Sequence, residues 1–210
     1  MIGMLLIFSQ LASTMQEGGF ISAINRKKTV SHADYNAVFW TSVLISLTFY
    51  SILFLSAPLI ADFYGIPELT TLARYMFISI FITSLGIAPR AYIFRNMMVR
   101  ENAIISVTCL LVSGLVAVWM ASNDFGYWTI ATQTNIYVSV STLLNHCLAK
   151  WHPTLSFDLS PIKEIIGYSS KLIITNLVNI INNNIFSVIF GKIYTAHEVG
   201  NYTPANKWNT

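Results

Sequence analysis

The sequence predicts an all-α protein, a polytopic bundle of about six membrane-spanning helices plus the start of another. Two observations carry this prediction. The 210 residues are 54% hydrophobic and only 10% charged, whereas a soluble domain carries about 25% charged residues. The few charges are also clustered, because Asp, Glu, Lys and Arg are absent from residues 35–61, 102–123, 125–149 and 172–191. Each range is close to the length of about 20 apolar residues that a transmembrane helix needs.

The spans can be placed in order along the chain. The first span contains Gln16 and Glu17, and it lacks the basic start and the cleavage site of a signal peptide. The third span consists of the uncharged residues 75–89 together with the apolar residues on either side of them. Tryptophans at span ends, including Trp40 and Trp151, are expected to be interfacial anchors. The predicted spans cover about residues 2–25, 36–61, 69–94, 102–122, 126–149 and 165–190, and a further span starts at about residue 199.

The loops between spans differ in their content of Lys and Arg, which are enriched in cytoplasmic loops. The first, third and fifth loops contain seven such residues and are predicted to be cytoplasmic. The first span then runs from outside to inside, so we expect a helix before it and interpret the sequence as part of a larger protein. The seven are Arg26, Lys27, Lys28, Arg95, Arg100, Lys150 and Lys163, against Lys192 alone in the sixth loop.

Several function classes are disfavoured by the same sequence. A net charge of +3 is too small for the basic surface of a nucleic-acid-binding protein. The two cysteines, Cys109 and Cys147, lie in apolar runs without metal-ligand spacing, and the four histidines form no zinc motif. Nucleophile-elbow, P-loop and dinucleotide motifs are absent from the sequence. We therefore expect no enzymatic activity, no catalytic residue, no metal, no cofactor and no nucleic-acid partner.

The last predicted span carries a polar face. At 100° per residue, its seven polar side chains fall within about 160° of arc. They could form hydrogen bonds between helices or line a water-filled lumen. Their number favours the lumen, and Lys171, Asn176, Asn179 and Asn183 are candidates for a transport path. The whole set is Lys171, Thr175, Asn176, Asn179, Asn182, Asn183 and Ser187.

Two charged residues in other spans are further candidates for the path. Arg90 follows Pro89, which removes a backbone hydrogen bond, so a kink is expected near Gly86. Arg90 could extend to the membrane surface, or its guanidinium could bind a phosphate in the lumen. Glu17, beside two glycines, could pair with a lumenal cation, bind a coupling cation or cap a broken helix.

These residues, taken with others in the same order, resemble the bacterial polysaccharide transporters, the flippases of O-antigen and capsule repeat units. The group belongs to the multidrug, oligosaccharidyl-lipid and polysaccharide exporter superfamily. Residues 33–64 resemble its third span and the loop that follows, and residues 182–208 resemble its link between the seventh and eighth spans. Shorter matches are Glu17, Gly19, Phe20 and Arg26, the pair Pro89 and Arg90, and Phe125, Gly126 and Trp128.

The resemblance implies a protein of two pseudosymmetric bundles, of which this chain is roughly half. It implies flipping of undecaprenyl-pyrophosphate-linked oligosaccharide across the bacterial inner membrane, with a functional link to glycan polymerase and glycosyltransferases. Arg90 and Lys171 would then hold the pyrophosphate, and the asparagines would hold the sugars. Many relatives carry Arg and Asp near Asn183 and Phe186, so the chain departs from the family pattern there.

Other functions fit part of the same pattern. Drug efflux and flipping of a peptidoglycan precursor occur in the same superfamily. An integral-membrane enzyme should show an acidic or histidine motif at a membrane boundary, which the sequence lacks. A non-functional truncated product is the fourth alternative.

Overall fold

The computed structural model describes residues 27–155, together with residues 20, 21, 24, 25, 175, 178, 179 and 182. All regular secondary structure in these residues is helical, so the predicted all-α fold class is confirmed. The predicted spans 2–25 and 165–190, and the span from about residue 199, fall largely or wholly outside the described residues. The four long helices are α1 (His32–Tyr64), α2 (Leu69–Arg95), α3 (Val99–Ser122) and α4 (Trp128–Leu148).

Local sequence fixes both ends of α1. Ser31 is the N-cap, and its hydroxyl accepts from the Asp34 N–H while the Asp34 carboxylate accepts from the Ser31 N–H at 2.8 Å. This reciprocal pair is a capping box, which satisfies two helix-end donors. The helix ends at Gly65, whose φ of 69° lies in the left-handed region that glycine adopts without strain.

The helices pack with α2 between α1 and α4, and α3 packs mainly against α4. Leu72 and Phe77 of α2 are fully buried together with Ala57 of α1. At the other end of α2, Arg95 donates four hydrogen bonds of 2.7–3.2 Å to the carbonyl groups of Ile24, Asn25, Lys27 and Lys28. The central helix, α2, therefore packs against α1 and α4 and is hydrogen-bonded to the residues that precede α1.

Three of these helices, α1, α2 and α3, are long and apolar enough to cross a membrane. Large apolar side chains on them remain uncovered, such as Leu55 at 73% and Leu115 at 71% exposed. Such faces are suited to lipid or to further helices of a bundle. The fourth helix, α4, is not among these three, and its polar residues Asn135 and Thr142 bond to the backbone of α2. This arrangement is that of a membrane helix bundle.

Trp151 differs from the expectation that it anchors the chain at the membrane interface. Its side chain is only 3% exposed, and it packs against Tyr35 and Phe39 of α1. The segment after α4 folds back onto α1, where Trp40 donates to the Thr154 carbonyl at 2.8 Å and Asn36 accepts from the Thr154 N–H at 2.9 Å. Trp151 is therefore a core residue of this end of the bundle.

Candidate functional site

A polar cleft lies between α2 and α4. Its empty volume is about 370 Å³, open solvent included. It combines the guanidinium of Arg90 with five side chains that carry a hydroxyl or an amide, so it is suited to a polar ligand. The lining residues are Thr83, Gly86, Ile87 and Arg90 of α2 and Tyr137, Val138, Ser141, Thr142 and Asn145 of α4.

Gly86 sets the distance between the two helices at the floor of the cleft. A Cβ atom at this position would lie 3.0 Å from the Thr142 hydroxyl oxygen. That hydroxyl in turn donates to the Ile82 carbonyl at 3.1 Å. The absence of a side chain at Gly86 therefore allows the close approach in which Thr142 bonds to the backbone of α2.

Pro89 accounts for a second bond between these helices. Proline has no N–H, so the carbonyl of the residue four positions earlier, Leu85, lacks its helical donor. The Nε2 atom of His146 lies 2.8 Å from the Leu85 oxygen. Because a carbonyl oxygen can only accept, His146 carries its proton on Nε2 in this contact. The helix continues through Pro89 to Arg95, and His146 supplies the donor that Pro89 removes.

On its opposite side, α2 bonds to α1 through serines. The Ser42 hydroxyl contacts the Ser84 carbonyl at 3.2 Å, and the Ser46 hydroxyl donates to the Ser84 hydroxyl at 2.8 Å. All three serines are fully buried. Carbonyl groups in residues 82–85 of α2 therefore accept side-chain hydrogen bonds from both neighbouring helices.

The cleft contains both acceptors and donors of hydrogen bonds. The Thr83 hydroxyl donates to the Ser79 carbonyl at 2.7 Å, and the Asn145 amide nitrogen donates to the Ser141 carbonyl at 2.8 Å. With these donors engaged, the side-chain oxygens of Thr83 and Asn145 act as acceptors. Arg90 is exposed at the cleft and carries donors in a planar fork. The arrangement can accept hydrogen bonds from ligand hydroxyls and donate to an oxyanion.

Of the six residues predicted for the transport path, the structure places two. Arg90 lines the cleft. Asn179 is helical and exposed, as are its described neighbours Thr175 and Asn182. The other four lie outside the described residues: Glu17, Lys171, Asn176 and Asn183. Within the described part of the chain, no group of three or more His, Cys, Asp or Glu side chains could hold a metal ion.

Three residues of functional interest are not among those predicted from the sequence. Thr142, Asn145 and His146 lie on the face of α4 toward α2, and their spacing of three and four residues is that of one helix face. The signal that could have predicted the role of His146 is Pro89, because proline leaves the carbonyl four residues earlier without its helical donor.

The fold and the cleft define a helical membrane protein with a polar, cation-bearing cleft inside its bundle. The whole chain, residues 1–210, matches the model of a family described as "Polysaccharide biosynthesis protein". The chain belongs to this family, as the resemblance of its motifs predicted.

Curated relatives agree with the family assignment. The teichuronic acid biosynthesis protein TuaB of Bacillus subtilis and the succinoglycan biosynthesis transport protein ExoT of Rhizobium meliloti are each 23% identical to the chain. The lipopolysaccharide biosynthesis protein WzxC of Escherichia coli is 22% identical. Each match covers 95% of this chain but only 40–41% of the relative. The chain thus spans about two-fifths of the length of these relatives. No solved structure matches it.

Proposed function

We propose that the complete protein flips undecaprenyl-pyrophosphate-linked oligosaccharide repeat units across the bacterial inner membrane. The observation that carries this proposal is the cleft, which presents a guanidinium for an oxyanion beside oxygens that accept from hydroxyls. A lipid-linked oligosaccharide has both groups at its head. The names of the relatives, which all refer to the biosynthesis of polysaccharides and in one case to transport, support the same substrate class.

In this proposal, Arg90 and Lys171 bind the pyrophosphate, and Asn176, Asn179 and Asn183 bind sugar hydroxyls. An anionic group that leaves water needs cationic or hydrogen-bonding partners, because its desolvation is otherwise costly. The described bundle would form part of one half of an alternating-access transporter. The role is transport and not chemistry on the substrate. Glycosyltransferases would supply the lipid-linked repeat unit, and a glycan polymerase would consume it on the other side.

The first test replaces Arg90 in the complete transporter. We expect Arg90→Gln to cause lipid-linked oligosaccharide to accumulate on the cytoplasmic side of the membrane, and Arg90→Lys to restore part of the transport. Arg100→Gln is the matched control, since Arg100 is exposed at the start of α3 and lies outside the cleft. Normal transport by Arg90→Gln, with the protein present in the membrane, would remove Arg90 from the path.

A second test addresses the polar face that contains Asn179. We expect Asn179→Leu and Asn183→Leu to reduce display of the surface glycan without loss of the protein from the membrane. The apolar replacement keeps helix length and approximate volume while removing the hydrogen-bonding groups. Val178→Leu is the control, because Val178 is an exposed neighbour that is already apolar. If both asparagine variants display normal amounts of glycan, this face has a packing role.

A further inference from the structure

Arg74 lies inside a helix long and apolar enough to span a membrane, about 8 Å along α2 from its first residue at 1.5 Å per residue. The side chain is half-buried. An ionised residue in such a position is costly and usually marks a functional site with a specific partner. The chemistry around Arg74 therefore indicates what it binds.

Phe54 of α1 supports the guanidinium of Arg74. The Cζ atom lies 4.4 Å from the centre of the Phe54 ring, within the range of a cation–π interaction. Tyr50 packs beside Phe54, with ring centres 5.8 Å apart. One face of the guanidinium is thereby covered and the group is held in place.

Within the described residues, Arg74 forms no hydrogen bond and no ion pair, and its buried Nε atom has no acceptor. No acidic side chain in the described residues forms an ion pair with Arg74. Glu68 accepts from the Tyr127 hydroxyl at 3.0 Å. The ion pair found in the described part of the chain joins Lys27 and Asp34, near the opposite end of α2. Among the described residues, the site thus contains a positioned cation without a counter-ion.

We propose that Arg74, held on Phe54, binds a phosphoryl anion at the Leu69 end of α2. A guanidinium presents its donors in a planar fork that matches the oxygens of a phosphate. Arg74 is 16 residues from Arg90, or about 24 Å along the helix, so this site is separate from the cleft. The anion belongs either to the headgroup of a bilayer phospholipid or to the pyrophosphate of a prenyl-linked substrate. The proposal uses residues that the proposed function does not need.

The test uses the complete transporter in nanodiscs of digalactosyldiacylglycerol, a lipid without phosphate, and farnesyl pyrophosphate as the probe. Calorimetric titrations are performed in an Arg90→Gln, Lys171→Gln background, so that the pyrophosphate site of the proposed function does not contribute. We expect Arg74→Gln to weaken binding about tenfold or more, the scale of a lost hydrogen bond to a charged group. Arg74→Lys should recover part of the affinity, and Phe54→Leu should give an intermediate loss. Thermal unfolding of each variant shows that the fold is retained.

The two sources of the anion are separated by repeating the titrations in phosphatidylglycerol nanodiscs. If a phospholipid headgroup occupies the site, the parent protein loses affinity for the probe in these discs and Arg74→Gln does not change. If the site receives a substrate pyrophosphate, the parent keeps its affinity in both lipids. Equal binding by the parent and Arg74→Gln in both lipids overturns the proposal. A failure of the proposed function is read separately, from the transport activity of Arg90→Gln.

Discussion

Replacing His146 should reveal how much the bond to the Leu85 carbonyl contributes to the bundle. In the protein, Nε2 of His146 lies 2.8 Å from the Leu85 oxygen, which has no helical donor because Pro89 follows four residues later. A buried acceptor left without a partner costs about 1–3 kcal/mol. Hydrogen bonds between membrane helices average about 0.6 and reach about 1.7 kcal/mol. We therefore expect His146→Leu to lower the free energy of unfolding by about 1–2 kcal/mol.

A double-mutant cycle tests whether the cost of His146→Leu arises from the loss of the bond to the Leu85 carbonyl. Pro89→Ala restores an N–H that can donate to the Leu85 carbonyl, so His146→Leu should cost about 1 kcal/mol less in that background. His146 also makes an edge-to-face contact with Phe39, with ring centres 6.3 Å apart. Loss of that contact occurs in both backgrounds and cancels in the cycle.

The free energies are measured by reversible unfolding of the complete protein in lipid–detergent bicelles. His152→Leu is the control for this cycle, because the His152 side chain is exposed and lies beyond the end of α4. Its cost should be the same with proline or alanine at position 89. A coupling energy for His146 and Pro89 within about 0.3 kcal/mol of zero, the usual scatter of additivity, would refute the compensation argued here.

Three further changes have defined outcomes. Gly86→Ala should lower the free energy of unfolding by about 1 kcal/mol or more, because the new Cβ would lie 3.0 Å from the α4 hydroxyl that bonds to α2; chemical denaturation measures it. Arg95→Lys should lower the unfolding temperature, since one ammonium cannot replace a guanidinium that donates to four carbonyl groups. Thr29→Cys and Asn123→Cys, in a cysteine-free background, should react with an impermeant thiol reagent from opposite sides of the membrane, with Asn123→Cys labelled in intact cells. Labelling of Thr29→Cys in intact cells would reverse the predicted orientation.

The fold class could be predicted because membrane insertion depends on the length of uncharged stretches. This property is additive along the sequence, and α1, α2 and α3 meet it. The partners of polar residues in those stretches could not be predicted in the same way. His146 donates to a carbonyl 61 residues earlier in the chain, and Trp151 is buried because its segment returns to α1. Such contacts depend on which helices become neighbours.

In the candidate site, too, local sequence predicts some residues, whereas the roles of others depend on contacts with neighbouring helices. Arg90 was predicted from its charge and its place beside Pro89, and the structure puts it in the cleft. Arg74, by contrast, precedes the uncharged residues 75–89 and lies within α2, and nothing in the sequence around it predicts a partner. A charge near a helix end can be an anchor or a binding group, and local sequence does not distinguish these roles. The difference arises from Phe54, which positions Arg74 from another helix.

The bonds around α2 constrain how the bundle can move. Residues 82–85 accept from α1 through Ser42 and from α4 through Thr142 and His146. Sliding or rotating α2 alone would break these bonds together and leave the Leu85 carbonyl, which Pro89 deprives of a helical donor, without a partner. Moving α1, α2 and α4 as one body breaks none of them. If the complete protein works by alternating access, the motion should therefore occur between this bundle and the rest of the transporter, as in transporters whose bundles rock as rigid units. Arg90 and Arg74 would then keep a fixed separation of about 24 Å throughout the cycle.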